Sequence, residues 1–325
     1  MSKMKVAING FGRIGRIFFK QAYNNPNLEI VAINDLGSEE NLKYLLKYDS
    51  VYGKYDGSMK GVKFLSERDP SKLPWGDMGV DVVVESTGIF ASYEKSKAHL
   101  DAGAKRVVIS APVKDDEAKT ITPNVGVSML AESKITSNAS CTTNATTPVI
   151  AVMMETIGVK KALLNTVHGY TATQSLVDSP ADKDFRRGRA AAQNIVPSST
   201  GAAIATAKAI PAMNDKFDGV AMRVPVVSGS LVDITFVAER ETSVEEVNQI
   251  FKDAESKNEW KGIIKTTDEP LVSHDILGEP YGAIVDLNLT RVVGGDLVKV
   301  FSWYDNEWGY CAMLVKHVES LASYL

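Results

Sequence analysis

Apolar positions along this chain follow two different patterns. In the first half, short runs with little alternation read as strands: Lys5-Val6-Ala7-Ile8-Asn9, Leu28 to Ile33, Val80 to Glu85 and Arg106-Val107-Val108-Ile109-Ser110. Such β-branched runs fit a parallel sheet covered on both faces. Helical spacing follows at Arg16 to Ala22 and again from Tyr93 to Ala102, where Gly103 is the expected stop. Tyr52 to Gly79 is rich in Gly, Pro and charge and reads as hairpins and loops at the sheet edge. In the second half, Leu231 to Ala238, Ala283 to Leu289 and Leu297 to Ser302 alternate as antiparallel strands do. Ala162 to Thr171 and Val220 to Pro225 are further strands, the first ending near His168 and the second carrying Arg223. Ala145 to Glu155 reads as a buried helix, and Val244 to Glu255 and Val315 to Leu325 as amphipathic ones. Pro197 to Ala203 is expected to open another helix.

Composition narrows the class without naming a function. A chain of 325 residues suggests two domains. Hydrophobic residues at 44% and charged residues at 23% are ordinary for a globular protein. The net charge of −4 makes nucleic acid an unexpected partner. Two cysteines, Cys141 and Cys311, exclude a disulfide framework and fit a reducing compartment. The opening Met1 to Val6 runs straight into a strand without the apolar region of a signal peptide. No apolar run approaches the ~18 residues of a membrane span. A cytoplasmic protein is therefore expected, and the Asn138-Ala139-Ser140 and Asn144-Ala145-Thr146 glycosylation patterns are read as chance. No Cys/His cluster has metal-ligand spacing.

Candidate chemistry lies where strands end. Gly10-Phe11-Gly12-Arg13-Ile14-Gly15 follows the first strand and opens a helix, the context a dinucleotide site requires. Gly10 permits the tight turn, Gly12 lets a pyrophosphate approach the backbone, and Gly15 lets helix and strand pack closely. Asp35, after the second strand, suits the adenine ribose hydroxyls of NAD and repels the extra phosphate of NADP. Ser86-Thr87-Gly88 and Ser110-Ala111-Pro112 end two more strands and belong to the same cleft. These features make the first half a Rossmann-type doubly wound parallel sheet.

Cys141 sits in Ser137-Asn138-Ala139-Ser140-Cys141-Thr142-Thr143-Asn144, a run of helix-capping residues before an apolar helix. A thiol at a helix N-terminus has its pKa lowered toward neutrality. His168 is the candidate base for it, although spacing alone leaves open whether the two meet. His99, His274 and His317 are read as surface or packing residues. Thr173 to Ser199 is a long polar segment containing Arg186-Arg187-Gly188-Arg189, which suits either phosphate binding or a plain surface cluster. Thr200-Gly201 stands at a helix start, a second position suited to an anion.

Together these stretches resemble phosphorylating, NAD-dependent glyceraldehyde-3-phosphate dehydrogenases. The likeness runs from Lys5 to about Ser320 and is carried by Asn9 to Arg16, Ser137 to Asn144, Thr166-Val167-His168, Arg187 to Gly201 and Ser302 to Tyr310. It implies an α/β protein, the second part being an α+β catalytic domain with a mostly antiparallel sheet. The implied NAD-binding domain is 1–139, completed by a C-terminal helix at 308–325, with 140–307 catalytic. By resemblance, Cys141 attacks the aldehyde of D-glyceraldehyde 3-phosphate, His168 activates the thiol and takes the hydroxyl proton, and inorganic phosphate cleaves the resulting thioester. Thr171 and Arg223, helped by Thr173, would hold the substrate phosphate. Ser140, Thr142, Arg187, Thr200 and Gly201 would hold the attacking phosphate. Arg13 and Ile14 would contact the pyrophosphate and Asp35 the ribose. Arg68 and Thr87 would flank the adenine, and Ser110 and Asn306 the nicotinamide end. A glycolytic homotetramer is implied, with the Thr173 to Ser199 loop crossing between subunits. Ala145 departs from the family, many of whose members carry a second cysteine four residues after the nucleophile. Erythrose-4-phosphate dehydrogenases look similar but lack the Ser198-Ser199-Thr200-Gly201 run. A catalytically silent binding protein would need none of Cys141, His168, Arg223 and Asn306.

Overall fold

The computed structural model describes residues 3–182 and 184–325. The chain divides into two compact units: one runs to Ser140 and takes back Cys311–Leu325, and the other is Cys141–Tyr310.

The first unit's strands are β1 (Met4–Asn9), β2 (Leu28–Asn34), β3 (Tyr48–Asp49), β4 (Gly53–Lys54), β5 (Lys63–Leu65), β6 (Val82–Glu85), β7 (Arg106–Ile109), β8 (Lys119–Thr120) and β9 (Ile135–Ser137). Seven of them form one sheet in the order β5-β2-β1-β6-β7-β9-β8, while β3 and β4 pair separately. Every pairing in the larger sheet is parallel. β6 and β7 are buried at every position, as unbroken apolar runs require when both faces are covered. Helix α1 (Arg13–Ala22) buries Ile17, Phe18 and Phe19. Helix α2 (Glu39–Lys47) is capped by Ser38, which accepts from the Asn41 N–H. A short helix α3 (Trp75–Met78) breaks the stretch read as loop, and Trp75 is fully buried. Helix α4 (Tyr93–Asp101) starts at the Ser92 cap, and Gly103 turns the chain away at φ 100°. From β1 the chain moves outward to β2 and β5, then returns to β6 on the other side of β1. The carboxyl ends of β1 and β6 therefore flank the topological switch point, where ligands of such sheets bind.

The second unit opens with helix α5 (Cys141–Thr156), buried along nearly its whole length from Thr142 to Met153. Its strands are β10 (Lys161–Gly169), β11 (Val196–Ser199), β12 (Phe217–Val224), β13 (Ser230–Val237), β14 (Ile264–Thr267), β15 (Ala283–Asp286), β16 (Arg291–Val293) and β17 (Leu297–Tyr304). They form one sheet in the order β11-β12-β10-β13-β17-β15-β14, with β16 also on β17. The sheet is mostly antiparallel, but β10 and β12 run parallel, as do β14 and β15. The parallel β10–β12 register sets His168 directly opposite Arg223.

Two sequence expectations shift here. Pro197 to Ser199 belong to edge strand β11 rather than to a helix, an acceptable place for a proline that has no N–H to give. Helix α6 (Ala202–Ala209) starts only at Ala202, with Gly201 as its cap. Helix α7 (Val244–Ser256) is capped by Ser243. Helix α8 (Trp308–Ser320) starts well before Val315, because Tyr310 to Leu314 are buried rather than amphipathic. No helix among the described residues is long and apolar enough to cross a membrane.

Candidate active site

The glycine turn of the first unit has a different constraint at each glycine. Gly10 sits at φ 94°, and a Cβ there would stand 2.7 Å from the Thr87 backbone nitrogen. The β1 turn and the end of β6 thus approach too closely for any side chain. A Cβ on Gly15 would stand 2.1 Å from the Gly10 carbonyl oxygen, so helix and turn are in backbone contact. A Cβ on Gly12 would meet nothing within 4 Å. That open face, at a helix start with no side-chain cap, suits a diphosphate, and the residues present fit a dinucleotide.

Asp35 braces this turn. Its Oδ2 accepts from the Phe11 N–H at 2.7 Å and its Oδ1 from the Gly37 N–H at 2.8 Å. Each oxygen keeps a lone pair for a ribose hydroxyl. Arg13 pairs with Asp49 at 2.9 Å and stacks over Tyr52. Ile14 is half-buried and Arg68 exposed. Thr87 donates its hydroxyl and its N–H to the buried Glu85 carboxylate. Ser110 and Ser86 hydroxyls meet at 3.2 Å.

Glu85 lies within a polar chain that pattern reading did not suggest. It accepts from Asn9 at 2.6 Å and faces Nε2 of His99 at 3.0 Å, while Trp75 donates to the other His99 nitrogen. His99 is thus a satisfied core residue. So is His317, whose nitrogens meet Thr136 and Asn138 at 3.0 and 3.1 Å.

In the second unit, Cys141 is the first residue of α5. The chain reaches it through Ala139, held at φ 54°, a left-handed conformation costing an alanine about 1 kcal/mol. Ser140, directly before the cysteine, is half-buried. Sγ of Cys141 lies 3.3 Å from Nε2 of His168, at the end of β10. The other ring nitrogen, Nδ1, lies 2.6 Å from the Gly169 carbonyl oxygen and 2.6 Å from Nη1 of Arg223. Burial first, and the Arg223 charge second, depress the His168 pKa to about 3. The imidazole is therefore neutral at physiological pH.

The thiol departs from the sequence expectation. Burial pushes Cys141 up, outweighing the Arg223 charge and the Thr142 hydroxyl and backbone N–H groups, which pull it down. The helix start helps the thiolate but does not dominate, because the surrounding protein desolvates the sulfur. The resting pair is neutral thiol and neutral imidazole.

Tyr304, to which pattern reading assigned no role, ties the two elements together. It is buried, and its hydroxyl meets Thr142 at 2.9 Å and Thr166 at 2.8 Å, with the ring edge-on to His168. Burial pushes its hydroxyl far up, so it stays a neutral donor. One signal existed: Ala162, Leu164, Thr166 and His168 point inward on β10, as do Val298, Val300, Ser302 and Tyr304 on β17. Polar groups on an inward face need partners. The same contact engages the Thr142 hydroxyl with Tyr304 at the first turn of α5.

Arg187 donates to Ser198 at 2.9 Å, and its charge reaches Arg223. Among the described residues neither arginine has a carboxylate partner. Two such cations close together form a site for anions. Thr200 is at the α6 start, where its hydroxyl accepts from the Ala202 N–H, and Gly201 is exposed beside it. Thr171 and Thr173 share a hydroxyl contact of 2.9 Å. Asn306 is buried and held by its carbonyl oxygen, which accepts from Gly229 N–H and Ser230 hydroxyl, both at 3.0 Å. Its amide N–H groups are left over for another partner.

Comparison with known proteins agrees across the chain. The family description "Glyceraldehyde 3-phosphate dehydrogenase, NAD binding domain" matches residues 4–93, and "Glyceraldehyde 3-phosphate dehydrogenase, C-terminal domain" matches residues 140–306. The glyceraldehyde-3-phosphate dehydrogenase of Thermotoga maritima is 48% identical, covering 98% of each chain. That of Zymomonas mobilis is 44% identical over 99% of each. The glyceraldehyde-3-phosphate dehydrogenase 1 of Trichormus variabilis is 46% identical over 97% of this chain and 96% of its own.

Proposed function

This chain belongs to the glyceraldehyde-3-phosphate dehydrogenase family, and we propose that it performs the family's oxidation through a covalent Cys141 intermediate. The activity is glycolytic: NAD-dependent oxidative phosphorylation of D-glyceraldehyde 3-phosphate to 1,3-bisphosphoglycerate. Sγ of Cys141 attacks the aldehyde carbon, the thiol proton passes through Nε2 of His168 to the former carbonyl oxygen, and a thiohemiacetal forms with the imidazole neutral again. NAD, held by the glycine turn and Asp35, would supply the acceptor for the hydride of the former aldehyde carbon. His168 takes the hydroxyl proton as the carbonyl re-forms, leaving a thioester on Cys141. An oxygen of inorganic phosphate attacks that thioester, and the thiolate leaves. Splitting the oxidation into covalent steps lowers each barrier.

The single observation carrying this reading is the 3.3 Å contact between Sγ and a neutral imidazole. Arg223, with Thr171 and Thr173, takes the substrate phosphate. Arg187, the Ser140–Thr142 turn, Thr200 and Gly201 take the attacking phosphate. Their lack of carboxylate partners among the described residues supports anion binding by both arginines. Gly10, Gly12, Arg13, Ile14, Gly15 and Asp35 hold the dinucleotide, with Arg68 and Thr87 toward the adenine and Ser110 and Asn306 toward the nicotinamide. The NAD-binding domain is 1–139 with the C-terminal helix, and 140–307 is catalytic.

The protein works as a cytoplasmic homotetramer. Exposed Leu176, Val177, Phe185 and Ile195 in the polar arm, and Leu163 and Val167 on β10, support association with further copies. Two free cysteines support a reducing compartment. The test is NADH formation from glyceraldehyde 3-phosphate, with and without inorganic phosphate, against erythrose 4-phosphate. Fast, phosphate-dependent turnover of the triose alone is expected. Preference for the tetrose, or indifference to phosphate, would overturn the assignment.

A further inference from the structure

The last residues of β2, β1 and β6 form a buried polar row beneath the loops of the dinucleotide cleft. The β1–β2 and β1–β6 registers set Asn34, Asn9 and Glu85 side by side. Each stands one residue before a loop of the cleft, which begins at Asp35, Gly10 and Ser86 in turn. The hydrogen bonds along the row all point the same way. The Glu67 N–H donates to Asn34 Oδ1 at 2.8 Å, Asn34 Nδ2 donates to Asn9 Oδ1 at 2.7 Å, and Asn9 Nδ2 donates to Glu85 Oε2 at 2.6 Å. Asn34 Nδ2 also donates to the Glu67 carbonyl oxygen at 2.9 Å. Both backbone groups of Glu67 are thereby fixed, directly before Arg68. A second branch comes from α3 and α4. The Trp75 indole can only donate, so Nδ1 of His99 accepts from it at 3.0 Å and the imidazole carries its proton on Nε2. That proton goes to Glu85 Oε2 at 3.0 Å. On the cleft side, Glu85 Oε1 accepts the Thr87 N–H at 2.8 Å and the Thr87 hydroxyl as well. Four donors fill the four acceptor positions of one carboxylate, and bonds aligned head to tail in a buried site strengthen one another.

We propose that Glu85 is a positioning residue for NAD: one buried carboxylate sets Thr87 directly, and Arg68 through Asn9, Asn34 and the Glu67 backbone. The two sides of the adenine pocket are thus fixed to each other across the sheet before the ligand arrives, which lowers the ordering cost of binding. The inference rests on the reading of Arg68 and Thr87 as the adenine-flanking residues. Packing alone does not call for a carboxylate here. Val82, Val83 and Val84 are fully buried, and an apolar residue at 85 would complete that run. A buried carboxylate costs free energy that only its donors repay, and two of those donors belong to Thr87 in the cleft. A glutamine at this position would turn N–H groups toward two of the four donors. It would release either Thr87 or the branch through Asn9 and His99.

The experiment is calorimetry of NAD and of ADP-ribose, which carries the adenine half without nicotinamide, on the intact enzyme and its Glu85→Gln variant, together with steady-state kinetics. Both affinities are expected to fall by the same factor, about 10- to 100-fold, as the loss of hydrogen bonds to a charged group predicts. The KM for NAD should rise to match, while kcat at saturating NAD and the KM for glyceraldehyde 3-phosphate hold. A merely structural role would not confine the loss to one substrate. Should Glu85→Gln fail to fold, His99→Leu removes a single donor and should give a smaller loss of the same kind. His99→Gln keeps an acceptor for Trp75 and a donor for Glu85, and should restore the affinity. Unchanged NAD affinity in Glu85→Gln, a loss for NAD but not for ADP-ribose, or a fall in kcat as large as the rise in KM would overturn the proposal. Thr87→Val and Arg68→Met separate it from the reading beneath it. If they weaken NAD binding and Glu85→Gln does not, the adenine pocket stands and the positioning role falls. If neither of them weakens it, the adenine-side reading falls and the proposal with it, whatever Glu85→Gln does.

Discussion

Sγ of Cys141 stands 3.3 Å from Nε2 of His168, although one begins α5 and the other ends β10. Neither residue is charged at rest: burial raises the thiol and lowers the imidazole. A neutral pair spares the desolvation cost of a permanent ion pair. It also places Nε2 of His168 within reach of the thiol proton.

Replacing Cys141 with alanine should lower oxidation by roughly 10⁴-fold or more. Calorimetry should find NAD affinity almost unchanged, because the glycine turn and Asp35 belong to the other unit. Retained turnover would remove Cys141 from the reaction.

His168→Asn removes the proton acceptor. Alkylation of Cys141 should slow at neutral pH in that variant, and kcat should fall about 10²–10⁴-fold, the usual contribution of a general base. An unaltered alkylation rate would reject the pairing.

Tyr304→Phe deletes one hydroxyl and leaves those of Thr142 and Thr166 without it. A loss of about 1–3 kcal/mol in stability is expected from denaturant midpoints. Because that hydroxyl links α5 to β10, kcat should fall while the KM for NAD holds. An unchanged kcat would make Tyr304 a packing residue only.

Gly12→Ala and Gly15→Ala should separate binding from folding. A methyl on Gly12 enters open space, so the variant should melt near the wild type yet lose NAD affinity. A methyl on Gly15 meets the Gly10 carbonyl oxygen at 2.1 Å and should sharply lower the melting temperature. Similar melting temperatures for the two would contradict this reading of the turn.

Acid should destabilise the fold through histidines. His168 and His317 both titrate near 3 in the folded chain, His317 through burial alone. The unfolded chain protonates them near 6.5. Their contribution is therefore full above about pH 6.5 and lost as pH falls toward 3. Each adds a slope of about 1.4 kcal/mol per pH unit in that window. His317→Gln should flatten the slope by about that amount in denaturant titrations between pH 4.5 and 6, and an unchanged slope would contradict it.

How far the sequence could be read followed from how local each cause is. The glycine turn, Asp35 and the start of α5 depend on neighbours in the chain, and all could be located in advance. The meeting of Cys141 and His168 depends on strand order, which periodicity does not encode. Pro197 to Ser199 looked like a helix start because the pull of β12 on an edge strand is a tertiary effect. The thiol pKa could not be judged from the capping residues, because desolvation by the rest of the unit outweighs them. Tyr304 and Glu85 draw no role from pattern and His99 reads as a surface or packing residue; only their hydrogen bonds set them apart.

The most direct test of the covalent account is mass spectrometry of the acid-quenched enzyme after reaction with glyceraldehyde 3-phosphate and NAD in the absence of phosphate. An acyl adduct should accumulate on the peptide containing Cys141 and disappear when inorganic phosphate is added. No adduct, or an adduct confined to Cys311, would contradict it.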